Sequence, residues 1–361
     1  TASPRGSRID GFNPEYGAPT TPTIEVLREM MDEKDLWPIN KPVWDYLDGG
    51  GFHLVASLYK DLVNQYGEAR DIEDFAEKGQ FVGAMNSKSI WENWNYNKLG
   101  YGDRYCSGLL FWYHNCPVRQ VAARMWDWSL EPTASLYHTQ NALQPLHVQF
   151  DYLKNTVSAC NDYYRAFPGY KVTAEVYDLN SKKVWSRTAA IDLPEDGVVN
   201  DVFKIDSPVH FIKLRLYDER GKEVSDNFYW RSTNRYEGPE TLTGPTTAGF
   251  EAISDLKPAK VSARYAQRTD EQGHRYIDVT LRNGGQALAF FTQLQLLDAG
   301  GKPVRPSFYT DNFFSLLPGE SKTVTIEALP GKLPDNGSSL VIKGWNQPRQ
   351  QFDLKWDAKR L

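Results

Sequence analysis

The feature that most constrains this chain is a short element that recurs three times in its second half. Tyr177-Asp-Leu-Asn-Ser-Lys-Lys-Val184 is echoed by Tyr217-Asp-Glu-Arg-Gly-Lys-Glu-Val224 and by Leu297-Asp-Ala-Gly-Gly-Lys-Pro-Val304. In each, an alternating stretch ends in Asp, a short polar turn follows, and Lys-x-Val opens the next stretch. This is a hairpin signature, because a side-chain period of two puts one face of each strand on a core and the turn reverses the chain. Short alternating strands run through 147–240 and again through 257–350, which predicts two sandwiches of about 100 residues each. The Gly-, Pro- and Thr-rich stretch Glu237 to Thr247 reads as the linker.

Before residue 146 the pattern is different. Thr21 followed by Pro22 fits an N-cap with proline at the first helical position, opening a helix from Pro22 to Met31 with Ile24, Leu27 and Met31 on one face. A loop over 37–51 follows, carrying Trp37, Trp44, Tyr46 and three consecutive glycines. Helices are expected from Phe52 to Tyr66, with Gly67 just past the end, from Ile72 to Trp94, and from Thr133 to Leu143. Between the last two, the apolar run from Ser107 to Asn115 reads as a fully buried parallel strand. Only two β/α units are visible, whereas a (β/α)8 barrel has eight in about 250 residues. If these units belong to a barrel, most of it is absent from the sequence.

Charge and motifs narrow the function. Lys and Arg number 41 against 46 Asp and Glu, with no basic stripe, which argues against a nucleic-acid partner. No apolar run reaches the length that spans a bilayer, so no membrane partner is expected. The three cysteines, Cys106, Cys116 and Cys160, form no C-x-x-C pair, which excludes a disulfide framework and leaves a single Cys106–Cys116 bridge as the pairing to test. There is no Walker loop, no G-x-G-x-x-G and no H-E-x-x-H, so neither metal nor cofactor is expected. Aromatic residues reach 13%, a level that suits sugar stacking and sandwich cores alike.

Four groups of residues are candidates for chemistry. Glu15 follows Phe12-Asn-Pro and precedes Tyr-Gly, where a barrel strand would end at the catalytic face. On the 107–115 strand, Trp112 is placed to floor a sugar pocket and Asn115 to bond a hydroxyl; His114 has no visible partner. Asp127 between Trp126 and Trp128 resembles a sugar subsite, and equally a helix cap. Asp45 and Asp48, in the 37–51 loop, are placed to meet a cationic sugar.

Phe12-Asn-Pro-Glu-Tyr-Gly17 resembles the nucleophile segment of glycoside hydrolase family 2. Further matches follow in order: Leu27-Arg-Glu-Met-Met31, Ser107 to Asn115, Gln144 to Gln149, Lys222 to Thr233, Leu317-Pro-Gly-Glu320 and Ile342-Lys-Gly-Trp-Asn346. Together they resemble the branch holding exo-β-D-glucosaminidases and mannosylglycoprotein endo-β-mannosidases. The resemblance implies a multidomain fold, the C-terminal part of a (β/α)8 TIM barrel over 1–146 followed by two immunoglobulin-like β-sandwiches over 147–241 and 242–361. It also implies a retaining exo-β-glycosidase with Glu15 as nucleophile at the end of barrel strand seven and residues 107–115 as strand eight. It raises the standing of Trp112 and Asn115 as substrate contacts, and less so that of Asp45, Asp48 and Asp127. The family's acid/base lies in an Asn-Glu pair, and this sequence contains none. The chain alone is therefore expected to be inactive and to act with an N-terminal part comprising a jelly roll, a first sandwich and barrel strands one to six. Extracellular or periplasmic placement is implied by the same resemblance. The competing expectations are a β-mannosidase specificity, a non-catalytic glycan-binding module using aromatics such as Trp185 or Trp356, and, for 257–361, a purely structural brace.

Overall fold

A computed structural model describes residues 11–48, 54–98, 100, 106–112, 114–152, 154–208, 210–231 and 250–356. The expected linker, the three consecutive glycines and Tyr113 lie outside them.

The first region opens with β1 (Phe12–Tyr16) and continues through helices α1 (Ile24–Met30), α2 (Glu33–Leu36), α3 (Lys41–Leu47), α4 (Leu54–Tyr66) and α5 (Ile72–Tyr96). Strand β2 (Gly108–Phe111) and helix α6 (Ala134–Ala142) complete it. The strands β1 and β2 pair in parallel, Phe12 opposite Gly108 and Tyr16 opposite Phe111, with an irregular register between Asn13 and Tyr16. They form a two-stranded sheet; no closed barrel is present among the described residues.

Several expectations are corrected here. The first helix begins at Ile24 with Thr23 in the N-cap position, not at Pro22. Thr21 is diverted because its hydroxyl donates to the Ala76 carbonyl at 2.8 Å, while Thr20 donates to the Gly79 carbonyl at 3.0 Å. The 37–51 stretch is not all loop: Pro42 sits in the first turn of α3, where its missing N–H costs nothing. The 107–115 strand is shorter than expected, and it is not buried on both faces. Leu109 packs with Ile90 and Trp94 of α5, but Leu110 is 55% exposed and Phe12 beside it 54% exposed.

The first sandwich sets β3 (Leu146–Asp151), β4 (Thr156–Asn161) and β7 (Gly197–Lys204), in the order β3-β4-β7, against a sheet in the order β6-β5-β8-β9. Those four are β5 (Phe167–Tyr177), β6 (Lys183–Leu193), β8 (Phe211–Tyr217) and β9 (Glu223–Trp230). Val148, Phe150, Val172, Val176, Leu214 and Tyr229 fill the space between. The second sandwich pairs the order β10-β11-β15-β13 with β14-β12-β16-β17. Its strands are β10 (Val261–Thr269), β11 (Arg275–Asn283), β12 (Ala289–Leu297), β13 (Ser307–Tyr309), β14 (Phe314–Leu316), β15 (Ser321–Ala328), β16 (Ser339–Gly344) and β17 (Gln347–Asp353).

The recurring element has one physical cause. Asp178 Oδ1 accepts from the backbone N–H groups of Asn180 and Lys182, both at 2.9 Å. Asp218 does the same for Arg220 and Lys222, and Asp298 for Gly300 and Lys302. The residue three past each Asp takes a positive φ: Ser181 at 65°, Gly221 at 82° and Gly301 at 76°. A carboxylate that ties down its own turn is what the position selects for. Asp270 is a fourth instance, bonding Gln272 and His274 ahead of Gly273.

The helix α5 joins the three regions. Toward the first sandwich its Lys88 and Glu92 are buried: Lys88 Nζ donates to the Phe228 carbonyl at 3.0 Å, and Glu92 meets His147 Nε2 at 3.0 Å and Asn227 Nδ2 at 2.9 Å. Toward the second sandwich Phe81 meets Phe290, Phe291 and Trp345 edge-on at 5.2, 4.6 and 5.1 Å. Ion pairs reinforce the seams. Arg305 bridges Glu29 at 2.8 Å and Glu131 at 2.9 Å, and Lys343 meets Glu25 at 2.7 Å.

Candidate functional site

The site is built at the C-terminal ends of the parallel pair. Glu15 is solvent-exposed, with its backbone N–H on the Asn13 side-chain oxygen at 3.1 Å. An Asx-type bond one residue before Pro14 bends the strand where the register with β2 breaks. Next along the chain, Tyr16 turns toward α5. Its hydroxyl donates to the Asn86 carbonyl at 3.2 Å and its ring meets Phe111 at 5.8 Å. Burial pushes the Tyr16 phenol far above its usual range, which outweighs the downward pull of Arg124, so it stays a neutral donor.

Gly17 has a steric reason to be glycine. A β-carbon there would lie 3.1 Å from the Trp112 carbonyl oxygen. This close approach seats β2 against the end of β1, and the Trp112 backbone N–H donates to the Tyr16 carbonyl. Trp112 is thereby held next to the Glu-Tyr-Gly segment with its side chain 42% exposed. The strand ends at Phe111, so the strict alternation expected through 115 does not apply. Asn115 is exposed and bridges in parallel to Trp126, whose N–H donates to the His114 carbonyl at 3.2 Å. His114 is exposed too, and partial desolvation lowers its pKa.

The other three expected residues have different tasks. Asp127 is fully buried and its Oδ1 accepts from Ser129 N and Oγ, both at 2.7 Å, and from Glu131 N at 3.1 Å. It is the same carboxylate turn as in the sandwiches, so the sugar-subsite reading of Asp127 is corrected. Asp48 is also buried, with both oxygens on the Val55 N–H at 3.2 and 3.1 Å, and so caps the start of α4 rather than facing a substrate. Asp45 lies on exposed α3, paired with Lys41 one turn earlier.

Two residues were missed from the sequence. Arg124 is buried behind Gly17, 3.9 Å from where its β-carbon would be, and places a positive charge near Tyr16. Trp126 meets Phe308 of β13 edge-on at 5.9 Å, which brings the second sandwich to the segment that follows β2. An arginine in the apolar run Val121 to Trp126 was the available signal for the first; nothing local marks Phe308.

Among the described residues no group of His, Cys, Asp and Glu is arranged to hold a metal ion. Cys106, Cys116 and Cys160 are buried free thiols, so the Cys106–Cys116 bridge is absent.

Comparison with known proteins accords with this layout. Residues 154–236 match the mannosidase Ig/CBM-like domain model, and 241–347 match the exo-β-D-glucosaminidase Ig-fold domain model. The exo-β-D-glucosaminidase of Amycolatopsis orientalis is 28% identical over 94% of this chain and 35% of its own length. The mannosylglycoprotein endo-β-mannosidase of Lilium longiflorum is 22% identical over 95% of this chain and 42% of its own. The solved Amycolatopsis orientalis exo-chitosanase in complex with PNP-β-D-glucosamine superposes with a TM-score of 0.83 at 25% identity, covering 94% of this chain and 42% of that one. A β-D-mannosidase from Dictyoglomus thermophilum shares the fold at a TM-score of 0.66 and 17% identity. The chain thus spans between about a third and two fifths of these relatives. Two immunoglobulin-like domains matched in order, and likeness along nearly all of its length, make this chain a relative of the exo-β-D-glucosaminidases and mannosylglycoprotein endo-β-mannosidases, corresponding to the C-terminal part of that glycoside hydrolase branch.

Proposed function

We propose that this chain supplies the nucleophile side of a retaining exo-β-glycosidase that removes terminal β-linked glucosamine. The observation that carries the reading is the placement of Glu15: an exposed carboxylate at the C-terminal end of a parallel strand, flanked by Trp112 at the end of its parallel neighbour. A carboxylate there attacks the anomeric carbon while a second carboxyl, about 5–5.5 Å away in retaining enzymes, protonates the leaving oxygen and then activates water. That acid/base is to come from a part of the enzyme outside this sequence, together with the barrel strands that would cover Phe12 and Leu110. Trp112 supplies an apolar face to the sugar ring and Asn115 a hydrogen bond to a hydroxyl. Glucosamine is preferred because the structure with 25% identity and the same fold was solved with PNP-β-D-glucosamine.

The test is Glu15→Gln in the complete enzyme. Turnover of a chromogenic glucosaminide is expected to fall at least about 10⁴-fold, on the scale seen for a lost catalytic group, with the circular dichroism spectrum unchanged. Turnover within tenfold of wild type overturns the nucleophile assignment. A β-mannoside specificity is the second reading, favoured by the mannosidase Ig/CBM-like match over 154–236. Comparing kcat/KM for glucosaminide and mannoside substrates decides between the two.

A further inference from the structure

The turn between β4 and β5 is held more firmly than a surface loop requires, and what it holds outward is aromatic. Asn161 is fully buried, with its amide donating to the Arg165 carbonyl at 2.8 Å and the Pro194 carbonyl at 2.6 Å. Its Oδ1 accepts from the Tyr163 N–H at 2.9 Å, and the Tyr163 carbonyl accepts from the Asp196 N–H at 2.9 Å. Asp162 N–H donates to the Pro145 carbonyl at 2.8 Å, which ties the turn to the region before β3. On this frame Tyr163 meets Phe167 edge-on at 5.8 Å yet stays 45% exposed. Tyr164 is 88% exposed, the highest value of any large apolar or aromatic side chain among the described residues. The two aromatics expected as a platform are half-buried: Trp185 packs on Phe203 at 6.2 Å, and Trp356 lies under Arg275 at 4.8 Å.

The surrounding charge is acidic. Asp162 and Asp196 share one cation, Lys98, at 2.7 and 2.6 Å, and Glu195 stands exposed between Pro194 and Asp196. Arg165 is exposed and lies over the Phe167 ring at 4.6 Å and, farther off, over the Tyr163 ring at 6.0 Å, so of the two phenols Tyr164 is the ring without a cation on its face among the described residues. Three carboxylates against Lys98 and Arg165 leave a net negative surface beside two phenol rings. Phenol faces attract both the C–H face of a pyranose and an ammonium group, and tyrosine loses little rotamer freedom when it binds. We propose that Tyr163 and Tyr164, backed by Asp162, Glu195 and Asp196, form an accessory binding site on the first sandwich for a β-linked glucosamine oligomer. The choice of a cationic sugar rests on the glucosaminidase reading above, but the site is separate from Glu15. It would hold the polymer while the chain end is processed.

The experiment uses the 361-residue chain itself and a glucosamine hexamer, followed by isothermal titration and by tyrosine ring resonances. Saturable binding is expected, at least tenfold weaker for Tyr164→Ala and undetectable for the Tyr163→Ala/Tyr164→Ala double variant. Tyr46→Ala, an exposed tyrosine on α3, is expected to bind as wild type, and the N-acetylated hexamer more weakly than the free amine. Absence of binding overturns the proposal. So does binding that survives Tyr164→Ala, which would mark general attraction to an acidic protein; a lysine hexamer measures that attraction directly. Failure here with full Glu15-dependent turnover in the complete enzyme removes only the accessory site. Binding here with turnover indifferent to Glu15 removes only the nucleophile assignment.

Discussion

At the scale of single residues, carboxylates in this chain do two jobs that look alike in sequence. Asp127, Asp178, Asp218, Asp270 and Asp298 each hold two backbone N–H groups of their own turn, whereas Glu15 faces solvent. Asp127 was ambiguous because a carboxylate between two tryptophans fits a sugar site and a turn equally well, and only burial separates them. Glu77 shows a third situation. It lines a small cavity between α5 and the second sandwich, and burial, with Asp74, Glu73 and Glu25 nearby, raises its pKa to about 7 against the pull of Lys343. A carboxyl whose folded pKa lies above its unfolded value stabilises the fold when protonated. That contribution is present at pH 4 and is lost as pH rises from about 4.5 to about 7. Stability measured by urea denaturation should therefore decline across that window by roughly 1–3 kcal/mol. Burial raises Glu131 to about 7 as well, so Glu77→Gln should lessen the decline and leave the share that Glu131 contributes; an unchanged slope would show that Glu77 does not titrate there.

At the scale of elements, the periodic signals were legible and the non-local ones were not. Helices α4, α5 and α6 lie within two residues of their expected ends, because apolar spacing and capping act within a turn or two. Thr21 was misread because its hydroxyl bonds to α5, 55 residues away, a partner no local pattern reports. The same contact explains two glycines inside a helix. A β-carbon at Gly79 would lie 2.3 Å from the Thr21 side chain, and one at Gly83 would lie 2.3 Å from Thr20. Alanine has the better helix propensity by about 1 kcal/mol, so propensity alone predicts that Gly83→Ala stabilises. The packing predicts the opposite: a loss of about 1–3 kcal/mol through overpacking, read as a lower Tm. Adding Thr20→Gly, which removes the β-carbon and hydroxyl that the new methyl group meets, should recover part of it.

At the scale of the molecule, the two sandwiches could be read from their hairpins, but their attachment could not. The seam depends on Phe81 meeting Phe290, Phe291 and Trp345, and on Arg305 meeting Glu29 and Glu131, pairings between residues far apart in the chain. Phe81→Ala should cost about 3–5 kcal/mol. Because that ring lies on the seam, it should also loosen the second sandwich from α5. Limited proteolysis should then cut between residues 231 and 250 faster than in the wild type; an unchanged cleavage rate would mean that the ion pairs alone hold the seam. The exposed edge of the β1–β2 pair was equally illegible, since an apolar run looks the same whether its second face is covered by this chain or by another.

The arrangement around α5 has a consequence for how the protein is made. During synthesis from the N-terminus this helix leaves the ribosome long before its partners: Lys88 waits for Asn227, 139 residues later, and Phe81 waits longer still for Phe290. Until then a buried-type lysine, a buried-type glutamate and a bare aromatic ring stand in water on a nascent chain, the condition in which holding chaperones are recruited. Expression yield should respond more to translation speed across the second sandwich than to any substitution around Glu15.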